Sequence, residues 1–221
     1  MMMKGKKRSF VVVGLGAFGG TVATALAGMG DEVLGIDLDE RRVREHVDKL
    51  THVAIADARD EDALKEAGAG QHDVAVVSIG EDLEASILCT MNLKLIGIPT
   101  IWVKALSRTH HRILAKIGVD RVIRPEYDMG LHVSETLHFP NVADYLSLGN
   151  GFYVVNLNIP ALGLKTLGEL RALSEGKVHI LGFMRGSQYQ DGRQDDVSLA
   201  EGDRVMLLGR RDDLRQLAGE L

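Results

Sequence analysis

Apolar residues fall in short runs at regular intervals along the first two thirds of this chain. Strand-length runs occupy 9–13, 32–36, 52–56, 73–79 and 100–104, with a weaker one at 121–123. Between them lie stretches with helical spacing, near 17–29, 40–49, 60–68, 82–96, 107–117 and 126–138. Each unit takes roughly 25 residues, which suits repeated βα units on a parallel sheet. Right-handed crossovers would place every strand's C-terminal end on one edge. The pattern changes at Pro140. Strand-like Val142–Leu148, a Gly149-Asn150-Gly151 turn and strand-like Phe152–Ile159 come next. A short amphipathic stretch at 165–173, strands at 178–184 and 204–208, and a final helix at 211–219 complete the chain. The expected organisation is a parallel-sheet α/β domain over 1–140 and a smaller α+β domain over 141–221.

The common edge carries chemistry. Gly14-Leu15-Gly16-Ala17-Phe18-Gly19 follows the run Phe10–Val13 and opens the first helix; Asp37, eighteen residues after Gly19, ends the second run. This is the arrangement of a Rossmann-like nucleotide-binding unit. Gly14 would permit the tight turn, Gly16 would let phosphate oxygens approach backbone N–H groups, and Gly19 would let the helix pack closely on the sheet. The helix N-terminus offers unpaired donors and a positive dipole end. Asp37 suits the hydroxyls of an unmodified ribose and would repel a 2′-phosphate, which disfavours NADP. Asp57 and Ala58, Ile79 and Gly80, and Lys104 end later strands and would converge on the same crevice.

Several of these residues have two readings. Asp57 suits the exocyclic amine of adenine, or a cap for the helix starting near Asp60. Lys104 is either a point charge for terminal phosphates or a solvated lysine. Glu126 and Asp128, after Pro125, fit a helix start where acids favour the dipole; Glu126 is also a candidate hard-cation ligand. His110 and His111 are adjacent and would point about 100° apart on a helix, a poor metal pair. Cys89, the single cysteine, lies on an apolar helix face and reads as a core thiol. Asp191, Asp195 and Asp196 read as a solvated loop.

Bulk properties narrow the class. A hydrophobic share of 45% and a charged share of 26% are those of an ordinary globular protein. A net charge of −5 argues against nucleic acid as a partner. The basic start, Met1 to Arg8, does not read as a signal peptide, and Ile87–Val103 contains Asn92, Lys94 and Pro99, so it does not read as a membrane span. The expected location is cytoplasmic. None of the four tyrosines has a lysine four residues later, and GxSxG, HExxH and GxxxxGK[ST] are missing. Binding, rather than covalent chemistry, is the expected output. The rival reading is an NAD-dependent oxidoreductase with an atypical catalytic site, whose acid–base group would have to be His179.

The chain resembles the regulator-of-potassium-conductance (RCK, or KTN) family, and within it the KtrA/TrkA-like regulatory subunits of bacterial potassium uptake. The resemblance rests on Val12–Gly20, on Ile101-Trp102-Val103-Lys104-Ala105 and above all on the run His110–Gly130. In the second half it rests on Gly163–Leu170 and on Gly202-Asp203-Arg204-Val205. It implies an octameric ring of dimers beneath a KtrB/TrkH-like potassium-translocating membrane subunit, with ATP or ADP favouring different ring shapes and NAD(H) a possible ligand. By matching positions, the three glycines would hold phosphates, Asp37 the ribose and Asp57 the adenine. Lys104 would lie near the terminal phosphates, and Glu126 would bind Mg²⁺ or another divalent cation beside the γ-phosphate. The family's C-terminal domain often binds cyclic di-AMP. Relatives commonly carry arginine where this chain has Ala17, a residue that would read the γ-phosphate.

Overall fold

Six strands build the first sheet of the computed structural model, which describes residues 8–138, 141–159 and 166–220. The strands are β1 (Ser9–Val13), β2 (Glu32–Asp37), β3 (His52–Ile55), β4 (Val74–Val77), β5 (Thr100–Lys104) and β6 (Arg121–Ile123). They pair in the order β3-β2-β1-β4-β5-β6, every pairing parallel. The order reverses beside β1, and that reversal is where open α/β sheets leave a crevice. Met1–Lys7, Pro140 and Gly163–Lys165, on which some expectations rest, lie outside the described residues.

Burial on both faces explains the strand sequences. Val11 and Val13 join Leu34, Ile36, Val77 and Val103 in one core; Phe10 and Val12 join Val33 and Val76 in the other. Adjacent residues point to opposite faces, so a strand covered on both sides must be apolar throughout. The first core is closed by Leu64 of α3 (Glu61–Glu66), Leu93 of α4 (Leu83–Ile96) and Leu114 of α5 (Arg108–Ile117). The second is closed by Ala23 of α1 (Ala17–Gly28) and Val43 of α2 (Glu40–Arg44). Cys89 is buried in the first core and burial pushes its thiol pKa up, so it is a packing residue.

Side chains set the helix starts. Asp39, Asp60, Asp82 and Ser107 accept backbone N–H bonds at the heads of α2, α3, α4 and α5. Gly97 and Gly118 end α4 and α5 in the left-handed conformation. The expected helix at 40–49 stops at Arg44. His46 Nδ1 donates to the Arg42 carbonyl at 2.7 Å, while its backbone N–H turns to the Val43 carbonyl. The ring thus takes the acceptor that would have continued the helix. Two side chains of α4 reach its neighbours. Asn92 Nδ2 donates to the Ala58 and Arg59 carbonyls at 3.2 and 3.0 Å, and Lys94 Nζ donates to the Ile117 and Gly118 carbonyls at 3.0 and 2.6 Å.

His110 is fully buried on α5, and its Nδ1 accepts from the Leu106 N–H at 3.2 Å. Burial holds its pKa below the usual histidine value. The unfolded chain therefore takes up this proton first, so His110's contribution is complete above about pH 6.5 and fades as pH falls. The melting temperature is expected to drop between pH 7.5 and 5.5. His110→Asn, which keeps an acceptor but cannot titrate, should drop less; equal losses would rule this out.

The second sheet is antiparallel. β7 (Val142–Gly149), β8 (Phe152–Asn158), β9 (His179–Arg185), β10 (Gln188–Asp191) and β11 (Arg204–Arg210) pair in the order β10-β9-β11-β8-β7. Gly149, Asn150 and Gly151 have φ of +84°, +52° and +79°, so the β7–β8 connection is left-handed at three successive residues. Leu167 and Leu170 of α7 (Leu167–Leu173) and Leu214 and Leu217 of α8 (Arg211–Gly219) pack with Leu157, Phe183, Val205 and Leu207. Strand β10 is missing from the sequence expectation. Its residues are polar and largely exposed on a sheet edge, so no alternation marks it.

Chain contacts divide the molecule into two compact units, Met1–Pro125 and Glu126–Leu221. The division falls at the head of α6 (Pro125–His138), whereas the composition change falls near its far end. Within the second unit, His132 of α6 stacks on Tyr145 at 5.0 Å and its Nε2 lies 3.5 Å from Asp144 of β7.

Candidate functional site

The glycine loop is shaped by how closely its backbone meets the sheet. Gly14 has φ +93°, and a Cβ there would lie 2.8 Å from the Ser78 carbonyl oxygen. A Cβ on Gly19 would lie 1.9 Å from the Gly14 carbonyl oxygen and 2.9 Å from Ser78 Cβ. These two glycines are therefore required by sterics alone. Gly16 is different: beside it a Cβ would find only an Arg42 nitrogen, at 3.8 Å. Gly16 heads α1 and offers no side-chain cap to the first N–H groups of that helix. The result is an open surface of unpaired donors at the positive end of a helix dipole.

Asp37 sits at the C-terminal end of β2 and is 8% exposed. Its Oδ2 accepts from the Leu15 N–H at 2.7 Å, and its Oδ1 from the Asp39 N–H at 2.9 Å. The acid at the end of β2 thus anchors the glycine loop of β1 directly, and one acceptor site on Oδ1 stays available. Arg42 Nη1 stands 3.6 Å from Oδ2.

Asp57 lies past the end of β3, half-buried. Its carboxylate takes the Arg59 guanidinium in two-pronged fashion, with Arg59 Nε at 3.0 Å from Oδ1 and Nη2 at 2.6 Å from Oδ2. The hydrogen-bonded guanidinium holds the Asp57 pKa below the usual carboxylate range. The cap of α3 is Asp60; Asp57 instead closes a local turn by accepting from the Arg59 N–H at 3.0 Å. Ala58 is buried, and Asn92 holds the carbonyls on this turn.

At the end of β4, Ser78 is buried against the glycine loop, and Ile79 and Gly80 emerge towards solvent. Lys104, at the end of β5, places Nζ 5.9 Å from the centre of the Phe18 ring. A Cβ on Gly80 would lie 3.9 Å from that same Nζ. Phe18, Gly80 and Lys104, far apart in sequence, therefore meet beside the first turn of α1. Ala17 is exposed. All of these residues lie along one edge of the parallel sheet, within the first unit.

Other expected residues lie elsewhere. Glu126 is exposed in the first turn of α6 and belongs to the second unit. Among the described residues no three His, Cys, Asp or Glu side chains are grouped to hold a metal ion. His179 is exposed at the start of β9. Asp195 pairs with Arg171, and Asp191 with Arg193 at 3.2 Å. No helix of the described residues is long and apolar enough to cross a membrane. Sequence reasoning missed Arg42, Arg59 and Asn92. The Arg59 contact is local and legible in hindsight as an acid two residues before an arginine; the other two depend on packing.

A doubly wound parallel sheet with a glycine turn wedged against β4 and an acid closing it from β2 defines a nucleotide-binding Rossmann-like domain. The chain matches the TrkA-N domain family over residues 10–125 and belongs to it. It is 34% identical to the Ktr system potassium uptake protein A of Bacillus subtilis over 216 residues, 97% of each chain. It is 38% identical to the Ktr system potassium uptake protein C of the same organism over 183 residues, covering 82% of this chain and 83% of that one. The GsuK channel bound to NAD shares the fold, with a TM-score of 0.66 at 13% identity. That likeness covers 99% of this chain and 40% of the channel's, so the chain spans less than half of that solved structure.

Proposed function

We propose that this chain is a cytoplasmic regulatory subunit of a potassium uptake system that binds an adenine nucleotide at the C-terminal edge of its parallel sheet. ATP or ADP is the ligand, with NAD(H) as a further occupant. Nucleotide-dependent rearrangement of a homo-oligomeric, octameric ring passes to a KtrB/TrkH-like potassium-translocating subunit, holding this chain at the inner face of the plasma membrane. The observation that carries the reading is the glycine loop, sterically compelled at Gly14 and Gly19 and held by Asp37, with bare N–H groups at Gly16. Likeness to two potassium uptake proteins along most of the chain supports the transport role.

In this reading Gly14, Gly16, Ala17, Phe18 and Gly19 receive the phosphates and Asp37 Oδ1 takes a ribose hydroxyl. Asp57 and Ala58 flank the adenine, and Ile79 and Gly80 floor the crevice. Lys104 supplies positive charge, and Glu126 holds a divalent cation for the nucleotide where paired protomers meet. Cyclic di-AMP is a candidate ligand of the second domain. A ligand moves such a ring only through its different affinities for two shapes. With alanine at 17, the chain forgoes a charged donor towards a third phosphate.

The test is a thermal-shift and calorimetric panel of ATP, ADP, NADH and cyclic di-AMP, with and without Mg²⁺, on the purified chain. Saturating ATP or ADP should raise the melting temperature by several degrees, the size of a linkage effect of about 2.7 kcal/mol at a hundredfold excess over Kd. No response to any adenine nucleotide would overturn the reading. Ala17→Arg should raise the ATP-over-ADP affinity ratio by about tenfold, the worth of one charge-assisted hydrogen bond. An unchanged ratio would remove the role assigned to position 17.

A further inference from the structure

Asp37 alone predicts a site that rejects a phosphate on the ribose 2′-oxygen. Its surroundings predict otherwise. Arg42, five residues on and in α2, puts Nη1 3.6 Å from Asp37 Oδ2. The same nitrogen lies 3.8 Å from where a Gly16 Cβ would be. The guanidinium therefore stands at the corner between the acid that faces the ribose and the glycine that faces the phosphates.

Three features make this arginine available to a ligand. Its contact with Asp37 is longer than a hydrogen bond, and its side chain is 52% exposed. Asp37 does not depend on it, because the Leu15 and Asp39 N–H groups already bond both carboxylate oxygens. The guanidinium can turn to a new anion while Asp37 stays bonded. Its backbone is also fixed: the Arg42 carbonyl accepts from His46 Nδ1 and the next residue, Val43, is buried. Neighbouring Arg41 is differently engaged, with Nη2 3.1 Å from Asp39 Oδ2. Gly16 and Ala17 carry no side chain that would fill the corner.

We propose that Arg42 reads the 2′ substituent of the ribose and lets this site take 2′-phosphorylated adenine nucleotides, the NADP(H) class, alongside unmodified ones. The inference rests on the adenine-nucleotide reading above. An arginine beside the ribose acid supplies forked donors that match phosphate oxygens, while the acid keeps its bond to a ribose hydroxyl.

The experiment is calorimetry of the full chain with a matched pair, ADP-ribose and 2′-phospho-ADP-ribose, with ADP as a reference. The wild type should bind the pair within about tenfold of each other, where an acid without its arginine would separate them by roughly a hundredfold or more. In Arg42→Gln the ratio should shift at least about tenfold against the 2′-phosphate, and Arg42→Lys should recover part of it. The melting temperature of each variant reports folding. Binding of ADP with rejection of 2′-phospho-ADP-ribose by the wild type would overturn the proposal and leave the nucleotide reading standing. So would an equal loss for both ligands in Arg42→Gln. Failure of all three ligands, ADP included, would remove the nucleotide reading and this inference with it.

Discussion

Gly19→Val is expected to abolish nucleotide binding and to cost the first unit more than about 3 kcal/mol of stability. Its first side-chain atom would lie 1.9 Å from the Gly14 carbonyl oxygen. That oxygen belongs to the turn itself, and Ser78 behind it belongs to the end of β4, so neither is a flexible side-chain tip that can swing away. Helix α1 would have to lift off the sheet, carrying the N–H groups at its head away from the ligand. Gly28→Ala is the control on the same helix: a Cβ there meets nothing within 4 Å. It should be neutral or slightly stabilising, by up to about 1 kcal/mol. Chemical denaturation and ADP calorimetry on both variants separate the two cases. A Gly19→Val chain that melts and binds like wild type would refute the close-packing account.

Arg185→Ala is expected to cost the second unit about 2–3 kcal/mol at neutral pH. Asp203 is 2% exposed, and Arg185 donates to it from Nε at 3.0 Å and from Nη2 at 2.6 Å. The same guanidinium donates to the Ser198 carbonyl, while the Ala200 N–H donates to Asp203 Oδ2. Removing the arginine leaves a buried carboxylate with its backbone donor and no cation. Arg185 itself is 44% exposed, so water offsets part of the pair's worth and the figure stays below that of a fully buried pair. Hydrogen bonding to Arg185 holds the Asp203 pKa below the usual carboxylate value. The unfolded chain therefore binds this proton first as pH falls. The contribution is complete above about pH 4 and lost in more acid solution, so wild type and variant should converge there. Parallel urea titrations at pH 7 and pH 3 test the prediction; a constant difference between the two would contradict it.

The first sheet was legible because its central strands β1, β2 and β4 are buried on both faces, and a glycine, aspartate or serine heads each of the helices α1 to α5. Runs at 9–13, 100–104 and 121–123 are the strands observed. The second sheet was legible except for β10, whose Gln188–Asp191 lies on an edge and carries no apolar face. In the candidate site, sequence spacing revealed what backbone geometry requires: the two sterically compelled glycines and the acid on β2. It did not reveal what side chains from other elements add. Asp37 reads as a lone acid in the sequence and has Arg42 beside it in the fold; Asp57 reads as an adenine acceptor or a helix cap and is engaged by Arg59. Such pairings depend on rotamers and on where short helices stop, and His46 decides the second of these for α2.

Helix α4 carries Asn92 and Lys94 two residues apart, pointing roughly 200° apart around its axis. One grips the turn after β3, the other the tail of α5. The helix therefore works as a strut pinned at both sides. A push on the turn that holds Asp57 and Arg59 loads α4 sideways, and the lysine clamp hands that load to α5, some distance along the sheet. Turn, strut and tail should gain and lose amide-exchange protection together, as one mechanical part.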